Sequence, residues 1–212
     1  MDINKKYEEI YSQKKLRKNI GSYPIPKNAQ GKVAIDIGCN NGCFLDLHKN
    51  TFSKIHAYEA NYFLVKKLKQ KFNDKHISIF HKAVSKNDGE ILNLKGHESM
   101  EDGSYAIEKQ NVRPDWNGLD VVCQVESISL ESILDKVNNK VDYMKIDCET
   151  SEYELLMGKN LKNIKYIAIE LHDQLGEKQY KELYNYICKT HKPDQPVNFV
   201  EYSHQEIFFT LK

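Results

Sequence analysis

The residues best suited to chemistry in this 212-residue sequence sit in short runs that each close an apolar segment. Asp36-Ile37-Gly38-Cys39-Asn40-Asn41-Gly42 follows the β-branched run that starts at Val33. Glycine at 38 and 42 permits positive φ and lets backbone N–H groups come close to a ligand. Asn40 stands between them. Asp36 can reach the ammonium end of a zwitterionic amino-acid ligand, directly or through water, and would repel a pyrophosphate. The spacing also departs from the G-x-G-x-x-G pattern of dinucleotide-binding loops. Glu59 closes Ile55-His56-Ala57-Tyr58, where a carboxylate can accept two hydrogen bonds from ribose hydroxyls. Lys145-Ile146-Asp147-Cys148-Glu149 puts three ionisable side chains on one side of an apolar strand end, because side chains alternate with period two. Glu170-Leu171-His172-Asp173 ends another such run, with His172 placed to act as a base or a substrate ligand. A plainer account exists for part of this. Ser151-Glu152-Tyr153-Glu154 reads as a capping box, and acids near a helix N-terminus are favourable without any chemistry.

The elements that must position these runs alternate. Val33–Ile37, Ile55–Tyr58 and Ile77–Phe80 read as buried strands, with helices expected over 43–50 and 62–72 between them. Phe63, Leu64, Leu68 and Phe72 fall at helical spacing. Strand–helix–strand succession implies right-handed parallel crossovers. Asn87-Asp88-Gly89 then signals a turn, and the strand Ile91–Leu94 suggests a hairpin-like excursion. Residues 95–120 are polar and aperiodic, and read as a lid or acceptor loop. Order resumes with strands at 121–125, 141–146 and 166–171 and helices at 130–137, 151–161 and 177–191. Ser129 caps the first of these helices. Val197–Tyr202 and Glu206–Leu211 are expected to form a terminal antiparallel hairpin. Residues 1–30 read as an N-terminal helical arm, broken at Pro24 and Pro26, and 31–212 as the main domain.

Composition narrows the partners. Lys+Arg 31 against Asp+Glu 30 leaves a net charge of +1, without the basic excess expected of a nucleic-acid binder. No apolar run approaches the ~20 residues of a membrane helix, and no signal peptide is visible. Five cysteines without a CxxC pair read as reduced thiols, which points to the cytoplasm. The expected partner is a small molecule rather than nucleic acid or membrane; the oligomeric state is open.

Taken together, the runs resemble the FkbM family of class I methyltransferases. The family's D-x-G-A-N-x-G is similar to Asp36–Gly42, its F-E-P to Tyr58-Glu59-Ala60, its K-I-D-x-E-G to Lys145–Glu149 and its E-x-H to Glu170–His172. Ser129–Leu134 resembles the segment that precedes the central strand. Cys39, Ala60 and Thr150 stand where the family has alanine, proline and glycine. The resemblance implies an α/β fold: a doubly wound, Rossmann-like, seven-stranded and mostly parallel sheet with a reversed C-terminal hairpin. It implies S-adenosylmethionine held by Asp36, Gly38, Asn40, Gly42 and Glu59, and O-methylation of a small molecule or glycan, most often a sugar. Asp147 or His172 is then expected as the base, Glu149 as orienter of the acceptor and Lys145 as a positioning charge. A divalent ion, Mg²⁺ or Mn²⁺, on Asp147 and Glu149 is the other way to activate a hydroxyl. The alternatives are a non-catalytic methyltransferase-like binding module and a nicotinamide-dependent oxidoreductase.

Overall fold

A computed structural model describes residues 23, 25–26, 29, 32–96, 105–108, 120–172, 176–194 and 205–212. The strands, in chain order, are β1 (Val33–Ile37), β2 (Lys54–Glu59), β3 (Ile77–His81), β4 (Ala83–Ser85), β5 (Ile91–Gly96), β6 (Tyr105–Ile107), β7 (Asp120–Ser129), β8 (Val141–Ile146), β9 (Ile164–Leu171), β10 (His191–Pro193) and β11 (Gln205–Leu211). The helices are α1 (Cys43–His48), α2 (Tyr62–Lys71), α3 (Leu130–Lys136), α4 (Glu152–Leu156) and α5 (Gly176–Ile187). The main sheet has the order β10-β11-β9-β8-β1-β2-β3. In it β11 is antiparallel to β9 and to β10, and every other pair is parallel.

Strand alternation sends two sets of side chains to two faces. Ile35, Ile37, Met144 and Ile146 join a core with Ile133 of α3, Leu155 of α4 and Leu183 of α5. Ala34, Tyr143 and Ala168 face the other way, onto Phe44 and Leu45 of α1, Val65 and Leu68 of α2, and Tyr23 and Ala29 ahead of β1. The sheet is therefore covered on both faces, as parallel sheets require. Asn61 caps α2 by accepting from the backbone N–H groups of Phe63 (2.9 Å) and Leu64 (3.4 Å). Ser129 caps α3 by accepting from the N–H of Ser132 at 3.2 Å.

The chain leaves the main sheet after β3 and builds a second sheet of four strands, in the order β4-β7-β5-β6. Leu94, Val122 and Cys123 from this sheet pack on Phe63 and Leu64 of α2.

Several expectations need correction. The strand expected at 121–125 runs to Ser129 and belongs to the second sheet, where it pairs antiparallel with β5. The stretch 95–120 holds β6 and the ends of β5 and β7; its residues 97–104 and 109–119 lie outside the described residues. The helix expected over 151–161 stops at Leu156, because Met157 is extended and Gly158 has φ 79°. Ser151 makes no side-chain cap. The arm at 1–22 and the hairpin strand at 197–202 also lie outside the described residues. Among the described residues no helix is long and apolar enough to cross a membrane.

Candidate active site

Register places the site. Ile37 is level with Tyr58 on one side and Ile146 on the other, and Ile146 is level with Ile169. One residue further along each strand gives a transverse series: Glu59, Gly38, Asp147 and Glu170, with Glu206 paired to Glu170 on β11. All five line a cleft of about 290 Å³ at the carboxyl ends of the parallel strands. Open α/β sheets bind ligands at this edge, where the strand order reverses.

The glycine loop is held from both neighbours. The N–H groups of Gly38 and Cys39 donate to the carbonyl of Tyr58 at 3.0 and 3.1 Å, and the N–H of Asp147 donates to the carbonyl of Ile37 at 3.1 Å. Gly38 has φ 74°, and a Cβ there would sit 1.7 Å from the carbonyl oxygen of Asp147. Only glycine fits. Gly42, at φ 80°, starts α1 and lies against Leu68 and Phe72 rather than on the cleft wall.

Glu59 is almost wholly buried and accepts from two backbone N–H groups, Asn40 at 2.7 Å and Asn61 at 2.8 Å. Burial pushes its carboxyl above the usual range, against those two amides. Each carboxylate oxygen has two lone pairs, so both keep acceptor capacity toward the cleft.

Lys145 is the hub of the other half. Its Nζ donates to the carbonyl of Gly38 at 2.6 Å and lies 3.4 Å from Asp36 Oδ1 and 3.3 Å from Asp147 Oδ2. Burial opposes the charge, but Asp147 and Asp36 outweigh it and hold the ammonium well above the ordinary lysine range. Asp36 is fully buried and does not line the cleft. Its nearest charge is Lys145, its parallel-strand partner, so the expected direct contact with a ligand ammonium is not available. Tyr23, which sequence reasoning passed over, donates its hydroxyl to Asp147 Oδ2 at 3.4 Å and lies under the Lys145 ammonium, 5.4 Å from ring centre to Nζ.

His172 does not line the cleft. Its Nδ1 donates to Glu152 Oε1 at 2.9 Å, and its Nε2 lies 3.6 Å from Glu149 Oε2. Burial disfavours the imidazolium, but the hydrogen bond and charge of Glu152, with Glu149 and Asp147 beyond, raise its pKa to about 9. At neutral pH it already carries its proton, which removes it as the base. Glu149 and Thr150 both have positive φ, 49° and 75°, at the turn that delivers Glu149 to the cleft wall. Asp147 and Glu149, expected as joint ligands of a divalent ion, turn to different cations, Lys145 and His172. Among the described residues, the donor atoms that do converge, within 4.8 Å, come from Asp147, Glu170 and His172, and include that imidazolium.

The model of the Methyltransferase FkbM domain matches residues 36–208. Among solved structures, the chain is similar to a methyltransferase FkbM from Methylobacillus flagellatus KT at 14% identity and TM-score 0.51, covering 98% of this chain and 50% of that one. This chain thus spans about half the length of that relative. It is also similar to an rRNA methylase from Streptococcus thermophilus (10% identity, TM-score 0.49, covering 100% and 96%). A precorrin-6y C5,15-methyltransferase from Geobacter metallireducens GS-15 follows at 9% identity and TM-score 0.44, covering 97% and 88%. No curated protein matches the sequence significantly.

Proposed function

Because the chain belongs to the FkbM methyltransferase domain family, a family of S-adenosylmethionine-dependent enzymes, we propose that its cleft methylates a hydroxyl of a small molecule or glycan, most often a sugar residue. The observation that carries this reading is the transverse series of strand-end residues. Its Glu59–Gly38 half offers a carboxylate with spare lone pairs beside a closely approachable backbone, which suits a ribose and an amino-acid tail. Gly38, Asn40 and Glu59 hold the donor in this reading; Gly42 shapes the loop, and Asp36 acts through Lys145. The Asp147–Glu170–Glu206 half offers carboxylates, which accept hydrogen bonds from vicinal hydroxyls.

The bound cofactor supplies a methyl group on a positively charged sulfur, already activated for displacement. The chain's own residues then position. Lys145 fixes the Gly38 carbonyl and Asp147 together, so the donor and acceptor halves keep one spacing. Asp147 orients the acceptor with Tyr23 behind it, and the His172 imidazolium steadies Glu149. Orientation of this kind supplies much of the rate in transfer reactions.

The test is a turnover screen of the purified chain with S-adenosylmethionine against monosaccharides and oligosaccharides. Formation of S-adenosylhomocysteine with a gain of one methyl mass on a sugar is the expected result. Cofactor binding without turnover on any acceptor, sugars and other hydroxyl compounds alike, would instead favour a non-catalytic binding module.

A further inference from the structure

We infer that Glu170 is the proton acceptor of the transfer, an inference that rests on the hydroxyl-methylation reading above. The other acids around the cleft are already committed, except Glu206, and of this pair it is Glu170 that lies next to Asp147. Glu59 takes two backbone amides, Asp36 and Asp147 answer Lys145, and Glu149 and Glu152 answer His172. Protonating Asp147 would forfeit its ion pair with Lys145. Glu170 lies level with Asp147 on the next strand and lines the cleft, yet among the described residues no hydrogen bond or ion pair engages its carboxylate. Its cross-strand partner Glu206 is a second acid, and like charges directly opposite are unfavourable unless a proton or ligand intervenes.

The charged groups facing Glu170 come from every element around it. Asp147 and Glu149 lie at the exit of β8, Glu206 on β11 and His172 two residues on. Burial, then Asp147, Glu149 and Glu206, push its carboxyl up to about 7, with His172 opposing. A base in that range is matched to neutral pH, where it is both substantially ionised and able to hold a proton. In the step, an oxygen lone pair of the acceptor forms the new O–C bond while the C–S bond breaks and its electron pair returns to sulfur. The hydroxyl proton passes to Glu170 and from there to solvent.

Two measurements test this. The first is carbon NMR of the protein labelled at glutamate side-chain carboxyls, titrated from about pH 4 to 9 with S-adenosylhomocysteine present. One carboxyl should titrate near pH 7 and vanish in Glu170→Gln. The second is methyl transfer to the sugar found by the screen. Glu170→Gln should lose about 10²–10⁴-fold in kcat, with cofactor affinity unchanged by calorimetry, and Glu170→Asp should recover part of it. The acidic limb of the native pH profile should disappear in Glu170→Gln. Titration of Glu170 in the ordinary carboxylate range, or a Gln variant within threefold of native, overturns the inference. So does a native rate that falls with chelator and returns with added Mg²⁺. If the native protein methylates no hydroxyl at all, the hydroxyl-methylation reading fails first and this inference with it, whatever the titration shows.

Discussion

Removing the Lys145 ammonium would leave Asp36 buried beside an apolar core without a counter-charge. Breaking a buried pair in this way typically costs about 3–5 kcal/mol, so Lys145→Met should lower the melting temperature sharply. Adding Asp36→Asn removes the stranded charge and should recover a measurable part of that loss, as a double-mutant cycle would record. Equal melting temperatures for the single and double variants would show that Asp36 does not depend on Lys145. Glu59 works in two directions, since it anchors Asn40 and Asn61 while facing the cleft. Glu59→Gln keeps one acceptor and turns an amide N–H₂ toward a backbone donor. It should lose about 1.5–3 kcal/mol of cofactor affinity and also lower stability. A change in affinity by calorimetry with no change in thermal melting would show that the loop does not need this carboxylate. At this scale the sequence pointed to Glu59, Gly38, Lys145 and Asp147 through motifs at the ends of apolar runs, and the structure brings the four to one cleft. Tyr23 was harder to see, and Glu170, though it opens the E-x-H run, was passed over there in favour of His172. Tyr23 reaches Asp147 across 124 positions, and Glu170 gains its place only through the β8–β9 register.

Among elements, the passage from the second sheet into α3 is fastened by a turn carboxylate. Asp88, in the turn before β5, accepts from the Ser129 N–H and hydroxyl, both at 2.8 Å, and from the Ser132 hydroxyl at 2.9 Å. It thereby ties the start of α3 to the second sheet. Asp88→Ala should cost about 1–2 kcal/mol, or roughly 2–8 °C in melting temperature, while leaving cofactor affinity unchanged. An unshifted melting curve would mean that Ser129 caps α3 unaided. The parallel strands were legible because strands buried on both faces read as short β-branched runs. The second sheet was not, since it is assembled from four separated segments whose pairing no local pattern reports. The length of α4 was overestimated for a different reason: Leu161 continues the apolar spacing, but the backbone has already turned at Gly158.

For the whole molecule, two buried histidines set opposite responses to pH. His56 lies in β2 beside Phe80, with neither ring nitrogen hydrogen-bonded among the described residues, and burial lowers its pKa to about 4. The folded state keeps it neutral, so its contribution is lost as pH falls from about 6.5 through 4. His172 is the reverse. Its raised pKa of about 9 means that its contribution is complete below about 6.5 and is lost as pH rises through 9. The stability advantage of the native protein over His172→Gln should therefore be largest at mildly acidic pH and shrink toward pH 9. Parallel melting curves for the two proteins between about pH 6 and 9 would rule out a folded-state imidazolium. The position of β1 has a consequence for biosynthesis. Its partner β8 lies far along the chain, with Val33 bonded to a residue 109 positions later. At roughly 5–20 residues per second a ribosome needs about 5–20 s to supply that second neighbour. During that interval the nascent chain carries an open hydrogen-bonding edge at the centre of the future sheet, a template on which other newly made strands could aggregate.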